Sequence, residues 1–234
     1  MSNPPLTPIA TIHSPYKEKF AVPRQPGLVP SASALLEIHA PYDDINAFSG
    51  LDEFSHLWLM FIFHKNKQSI KWQPMVRPPR LGGNKRVGVF ATRSPNRPNP
   101  IGLSLVEFHG IEQKQGKLFL RLSNIDLVDG TPIIDIKPYI PYADLKPEAR
   151  AGFAQHIPET SMQVVFTQQT EHATANNNQL KVLITEVLKQ DPRPAYKKLT
   201  LDNKRYAMNL LNFNITWYVE GNLTTVESID LLKA

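Results

Sequence analysis

Two segments set arginines between prolines and glycines: Arg77-Pro78-Pro79-Arg80-Leu81-Gly82-Gly83 and Arg93-Ser94-Pro95-Asn96-Arg97-Pro98-Asn99-Pro100-Ile101-Gly102. A guanidinium offers a planar fork of N–H donors that matches phosphate or carboxylate oxygens. Proline fixes the backbone around it, so less entropy is lost when the fork is held against a ligand. The plainer alternative is a proline-rich surface loop whose arginines cap carbonyls. Two such segments flanking one strand-like run favour a binding site. Their surroundings point the same way, because residues 54–106 contain no Asp or Glu and nine basic side chains: Lys65, Lys67, Lys71, Arg77, Arg80, Lys85, Arg86, Arg93 and Arg97. This stretch carries +9 and the rest of the chain −4. A polyanion is the partner such a distribution suits, since each Lys or Arg that neutralises a phosphate releases a counterion. Arg77, Arg80, Lys85, Arg86 and Arg97 are the candidate phosphate contacts.

The main acidic concentration behind that stretch is Ser123–Asp135, SNIDLVDGTPIID, with Asp126, Asp129 and Asp135. It reads either as an Asp-Gly turn between two strands or as a site in which one carboxylate holds a sugar hydroxyl or a cationic group. Asp191-Pro192-Arg193-Pro194-Ala195-Tyr196 holds a carboxylate, a guanidinium and a phenol in a stiff turn. That turn is a binding edge or an ordinary helix end. Taken as an edge, it offers Asp191 as a proton acceptor and Tyr196 for stacking or hydrogen bonding.

Other chemistries are excluded by pattern. Gly83 and Gly88 have the spacing of a phosphate loop, but Val89 and Phe90 follow where Lys and Ser or Thr are required. There is no GxGxxG, no HExxH and no GxSxG. The absence of cysteine removes thiol nucleophiles, thiolate zinc sites and disulfides. No metal site is expected.

Short runs rich in β-branched, aromatic and leucine residues supply the scaffold: 35–39, 54–64, 86–92, 101–109, 117–123 and 131–139, separated by Pro and Gly clusters. Strands without intervening helical periodicity predict a barrel or strongly bent sheet over residues 1–145. Residues 146–234 read as a smaller α+β unit. Within it, 162–167 forms a strand and 168–179 an exposed connection. Leu180, Leu183, Ile184, Val187 and Leu188 mark one face of a helix that ends at Asp191 before Pro192. A hairpin then pairs 213–219 with 223–229. The fold class is therefore α+β, with a mainly β N-terminal domain. The start of the chain lacks the apolar core of a secretory signal, and the longest apolar run, Leu57–Phe63, is far below the roughly 20 residues of a membrane span. A cytoplasmic protein with no membrane partner is expected.

Taken together, FSHLWLMFIFH (54–64), RPPRLGG (77–83), GVFATRSPNRPNPIGLSLVE (88–107), DLVDGTPIIDIKPY (126–139) and DPRPAY (191–196) closely resemble the TsaA or YaeB-like family, also called TrmO. The opening SPYKEKFAVPRQPGLV (14–29) resembles its bacterial members. The resemblance implies a homodimeric tRNA (adenine-N6)-methyltransferase that uses S-adenosylmethionine. It implies action on threonylcarbamoyl-adenosine, 3′ of the anticodon in threonine tRNA, with no role for DNA. The family pattern for the cofactor pocket carries over onto Pro26, Gly27, Leu28, His64, Lys65, Arg93, Leu103, Ser123, Asn124, Ile125 and Asp126. Lys65 stands where the resemblance leads one to expect glutamine. Two rival readings remain beside it: a non-catalytic RNA-binding barrel using charge and stacking from Trp72, Tyr16 or Tyr196, and a hydrolase of small anions using Asp129 and His64.

Overall fold

The computed structural model describes residues 6–66, 72–158, 162–194, 197–198 and 204–232. Alternation of apolar and polar residues, the period of a strand with one buried face, organises the N-terminal half. Its strands are β1 (Ala10–His13), β2 (Ser33–Ile38), β3 (His56–Ile62), a two-residue pair β4 (Met75–Val76) and β5 (Val87–Gly88), then β6 (Ile101–Lys114), β7 (Lys117–Ser123) and β8 (Pro132–Pro138). Six of these close into a barrel in the order β1-β2-β7-β6-β3-β8, and every neighbouring pair is antiparallel. Ala10, Ile12, Leu36, Leu57, Leu59, Val106, Leu120, Leu122 and Ile133 fill its interior. Fully burying the Val, Leu and Ile side chains among these contributes about 1.5–3 kcal/mol each.

One close approach inside this wall needs a particular residue. Phe61 faces Gly102 across β3 and β6, and a Cβ on Gly102 would lie 2.1 Å from the Phe61 ring tip. Glycine lets the ring lie over the backbone, edge-on to Phe63 with centroids 4.8 Å apart.

The C-terminal unit builds a four-stranded sheet in the order β10 (Tyr206–Leu210), β11 (Phe213–Glu220), β12 (Leu223–Leu231), β9 (Gln163–Phe166), with β9 parallel to β12. Helices α2 (Gln168–Thr174) and α3 (Asn178–Lys189) belong to this unit, and the single turn α1 (Pro141–Asp144) to the barrel unit. Asn177 caps α3 by accepting from the Leu180 amide at 3.0 Å, and the five apolar residues read from its periodicity are its buried set. Asp191 follows at φ 46, outside the helix and before Pro192.

Several expectations are corrected. The run 86–92 is not a full strand: only Val87–Gly88 pair, with a two-residue partner bounded by Pro74 and Pro78, and Val89–Ala91 coil into a 3-10 turn. Residues 168–179 are not an open connection but contain α2. Its inward positions, Thr170 and Thr174, are polar and bond to backbone carbonyls, among them Val226 O at 3.1 Å from Thr170 Oγ1. The four-residue β1 and the strand β10 are additions, and β6 runs on to Lys114 instead of stopping at His109.

The compact units also interleave in sequence. One comprises Met1–Pro15, Gln25–Trp72 and Pro95–Lys146, and the other Tyr16–Arg24, Gln73–Ser94 and Pro147–Ala234. Within the second, the early segment seals the edge of β10. Tyr16 bridges Leu210, the Asn209 amide donates to Glu18 Oε1 at 2.8 Å, and Phe20 stacks on Tyr206 and Trp217 at 6.4 and 5.9 Å.

Candidate active site

The strand registers gather most of the expected pocket residues at one end of the barrel. Ser33 pairs Ser123, so the turn holding Pro26, Gly27 and Leu28, which leads into β2, lies where β7 ends. Ser123 also pairs Glu107, and Ile62 pairs Ile101, so β6 begins and β3 ends at that same rim. His64 and Lys65 form the turn after β3, tied back by Phe63 N donating to Pro100 O at 2.8 Å. Leu103 stands on the outward face of β6, 52% exposed, an apolar surface on which a flat ring can lie. The segment Ser123–Asp126 completes the rim. Arg97 belongs to the same unit, in the loop entering β6, whereas Arg93 belongs to the C-terminal unit.

This rim is rich in hydrogen-bond acceptors. Asn124 adopts φ 59, and its Oδ1 is buried without a hydrogen-bond partner. Such an atom costs roughly 1–3 kcal/mol unless something donates to it. Ser104 Oγ donates to Asp126 Oδ1 and orients that carboxylate. Just behind, Ser14 Oγ donates to Leu127 O at 2.7 Å and Ser14 N to Asp129 Oδ1 at 2.9 Å. Asp129 therefore clamps the end of β1 to the β7–β8 connection, the turn role rather than the hydrolytic one. Burial of part of the His64 ring, helped by the adjacent Lys65 ammonium, pushes its imidazole below its usual value, so the ring is neutral at pH 7. A set of acceptors beside an exposed leucine fits a nucleoside that carries an amine and an ammonium.

The arginine-rich segment 77–86 links β4 to β5 in a short hairpin spanning 75–88 and contains a 3-10 turn over Pro79–Leu81. Arg77, Arg80, Lys85 and Arg86 are all exposed on it. Arg80 also donates to the His156 carbonyl and thus has a structural partner. Asp191 is not poised as the expected proton acceptor. Arg193 grips both of its oxygens, Nε to Oδ1 at 2.8 Å and a terminal nitrogen to Oδ2 at 3.0 Å, and Lys198 Nζ lies 3.6 Å from Oδ2. Burial pushes this carboxyl up, but Arg193 and Lys198 outweigh it and hold it below the usual aspartate range. A carboxylate so held anchors Arg193, which is only 4% exposed. Tyr196 lies outside the described residues.

The Glu107 and His109 side chains beside Ser123 were not among the expected site residues. Their convergence depends on strand register and on a bulge in β6, which residue spacing does not encode. Among the described residues no group of His, Asp and Glu is placed to hold a metal ion, and no helix is long and apolar enough to cross a membrane.

Comparison with known proteins adds an independent line. Residues 11–145 match the family described as tRNA-methyltransferase O N-terminal domain, and residues 159–232 match the TrmO C-terminal domain. The chain is 52% identical over 223 residues, 94% of each protein, to the tRNA (adenine(37)-N6)-methyltransferase of Escherichia coli K12. It is 45% identical over 220 residues, 91% of each, to a candidate S-adenosylmethionine-dependent methyltransferase of Pseudomonas aeruginosa, RcsF. A crystal structure of TrmO from Pseudomonas aeruginosa is similar with a TM-score of 0.76 at 36% identity, covering 97% of this chain and 98% of that one.

Proposed function

Because the chain belongs to the TrmO family over both its N- and C-terminal domains, we propose that it is an S-adenosylmethionine-dependent tRNA (adenine-N6)-methyltransferase acting on the threonylcarbamoyl-adenosine 3′ of the anticodon in threonine tRNA. The observation that carries this reading is the acceptor-rich rim of the barrel, where Asn124 Oδ1 is buried and unsatisfied beside Ser123 and Asp126. The bound cofactor supplies an electrophilic methyl group on a sulfonium.

The chain's own residues do the remaining work by holding and orienting, since an in-line transfer depends on alignment of donor and acceptor. Pro26–Leu28, His64, Lys65, Leu103 and Ser123–Asp126 form the cofactor rim, and Asp126, fixed by Ser104, favours a cationic or hydroxyl-bearing group. Neutral His64 offers an acceptor nitrogen and adds no positive charge near a sulfonium. A carbamoylated N6 is urea-like, so its proton is more acidic than that of adenine. A guanidinium would stabilise the charge that develops when this proton leaves. The substrate's threonyl carboxylate suits two-point contact by an arginine, and Arg77, Arg80, Lys85, Arg86 and Arg97 are assigned to tRNA phosphates. The family resemblance supports a homodimer working in the cytoplasm.

The test is incubation with a labelled methyl donor and threonine tRNA that carries or lacks the threonylcarbamoyl group, followed by digestion to nucleosides. Label in the carbamoylated nucleoside alone is the expected result. Label in unmodified adenosine would refute the substrate assignment. Salt-sensitive tRNA binding without any transfer would refute catalysis in favour of an RNA-binding module.

A further inference from the structure

Strand β6 turns Leu103, Leu105, Glu107 and His109 to the outside of the barrel, and Glu107 stands directly opposite Ser123 of β7. Between Phe108 and Ile111 the register shifts at a bulge. Bulges of this kind re-aim neighbouring side chains. Gly110 makes this one possible: its φ is 117, and a Cβ there would sit 3.0 Å from the Arg121 guanidinium, which donates to the His109 carbonyl at 2.6 Å. Pinned by its carbonyl, His109 brings Nε2 to 2.7 Å from Ser123 Oγ, and Ser123 Oγ lies 2.9 Å from Glu107 Oε2.

Counting protons fixes the direction of each bond. A carboxylate only accepts, and a serine hydroxyl has one hydrogen and two lone pairs. The hydroxyl therefore donates to Glu107. His109 Nε2 must then be the donor to Ser123, so the imidazole has its proton on Nε2. With its hydrogen committed and one lone pair occupied, Ser123 Oγ retains one lone pair and has nothing to donate.

We propose that Glu107 and His109 are positioning residues that lock Ser123 as an acceptor, so that this part of the rim selects an N–H donor of the cofactor. The donor is either the methionine ammonium or the adenine amino group. The inference rests on the cofactor reading given above and goes beyond it by assigning roles to two side chains outside the cofactor rim. It also accounts for Asn124 Oδ1, buried without a hydrogen-bond partner next in sequence to Ser123: a donor-rich group satisfies both.

Calorimetry with the full-length protein tests this using three ligands: S-adenosylmethionine, 5′-methylthioadenosine, which lacks the ammonium, and S-inosylmethionine, which lacks the adenine amine. Ser123→Ala and Glu107→Leu should each weaken S-adenosylmethionine about tenfold, the scale of one lost hydrogen bond. In a Ser123→Ala background Glu107→Leu should add nothing, and Glu107→Gln, whose amide oxygen still accepts, should retain most of the affinity. The probe lacking the selected donor should bind wild type and variants alike, and its identity names the group. Nitrogen-15 spectra should place the His109 proton on Nε2.

Equal weakening of all three ligands by Glu107→Leu would overturn the proposal, as would further weakening in the Ser123→Ala background or a His109 proton on Nδ1. A wild-type protein that binds no S-adenosylmethionine would instead refute the cofactor reading itself.

Discussion

Gly102→Ala puts the sharpest demand on the barrel wall. The new Cβ would stand 2.1 Å from Phe61 Cζ and 2.5–2.6 Å from both Cε atoms, whereas carbon atoms rest about 3.5–4.0 Å apart. The ring has to retreat by about 1.5 Å. Turning about its own axis gives no relief, because Cζ lies on that axis. Phe63 meets the Phe61 ring edge-on and the ring is 5% exposed, so retreat means an off-rotamer side chain or parting of β3 from β6. Overpacking of this kind costs about 1–3 kcal/mol, which for a chain of this size lowers Tm by roughly 2–12 °C. Urea unfolding is the direct assay: the midpoint should fall with the slope unchanged. Cofactor affinity should fall with it, since Leu103 is the next residue. Phe61→Leu removes the clashing ring atoms, so the double variant should be more stable than the sum of the two single losses. A Gly102→Ala protein within about 0.5 kcal/mol of wild type would refute the reasoning, because substitutions of that cost are ordinary at open surface positions.

Acid titration should expose the Asp191–Arg193 pair. Its depressed carboxyl stabilises the fold above the unfolded aspartate value and ceases to do so as pH falls through the lower folded value. Asp191→Ala should therefore cost about 3–5 kcal/mol at pH 7, the price of stranding a buried charge, with the Tm gap to wild type narrowing below about pH 4; a gap independent of pH would contradict this. Binding of tRNA should weaken steeply with salt, and Arg77→Glu or Arg97→Glu should each reduce the log–log slope by about one. Arg80→Glu should also lower Tm, because Arg80 holds the His156 carbonyl; a wild-type slope near zero would return the basic stretch to a solvated surface.

Elements whose burial is apolar and periodic were legible in the sequence. The face of α3 could be read residue by residue, as could β7 and the hairpin of β11 and β12. Helix α2 escaped because threonines fill its inward positions, and their hydroxyls satisfy themselves on backbone carbonyls where a periodicity argument looks for leucine. Val89-Phe90-Ala91 has strand-like composition, but β4, hemmed in by Pro74 and Pro78, gives its neighbour only two residues to pair with. The proposed cofactor rim rests on family resemblance rather than spacing, since its residues come from four separate stretches that only barrel closure brings to one end. Asp191 and Arg193 were legible as a carboxylate and a guanidinium in one stiff turn, but only the folded side chains show the fork closing on both carboxylate oxygens.

The early segment Tyr16–Arg24 has a consequence for how the chain is made. Glu18 waits for Asn209, 191 residues later in sequence, before its hydrogen bond can form. At about 5–20 residues per second on a ribosome, that interval is roughly 10–40 seconds. During it Phe20 has neither Tyr206 nor Trp217 to stack on, while every barrel strand has already been synthesised once Pro138 is added. Synthesis thus delivers all the barrel strands while a segment carrying the unstacked Phe20 is still loose near the N-terminus, and the nascent chain leaves that ring open to chaperones until β10 and β11 arrive to cover it.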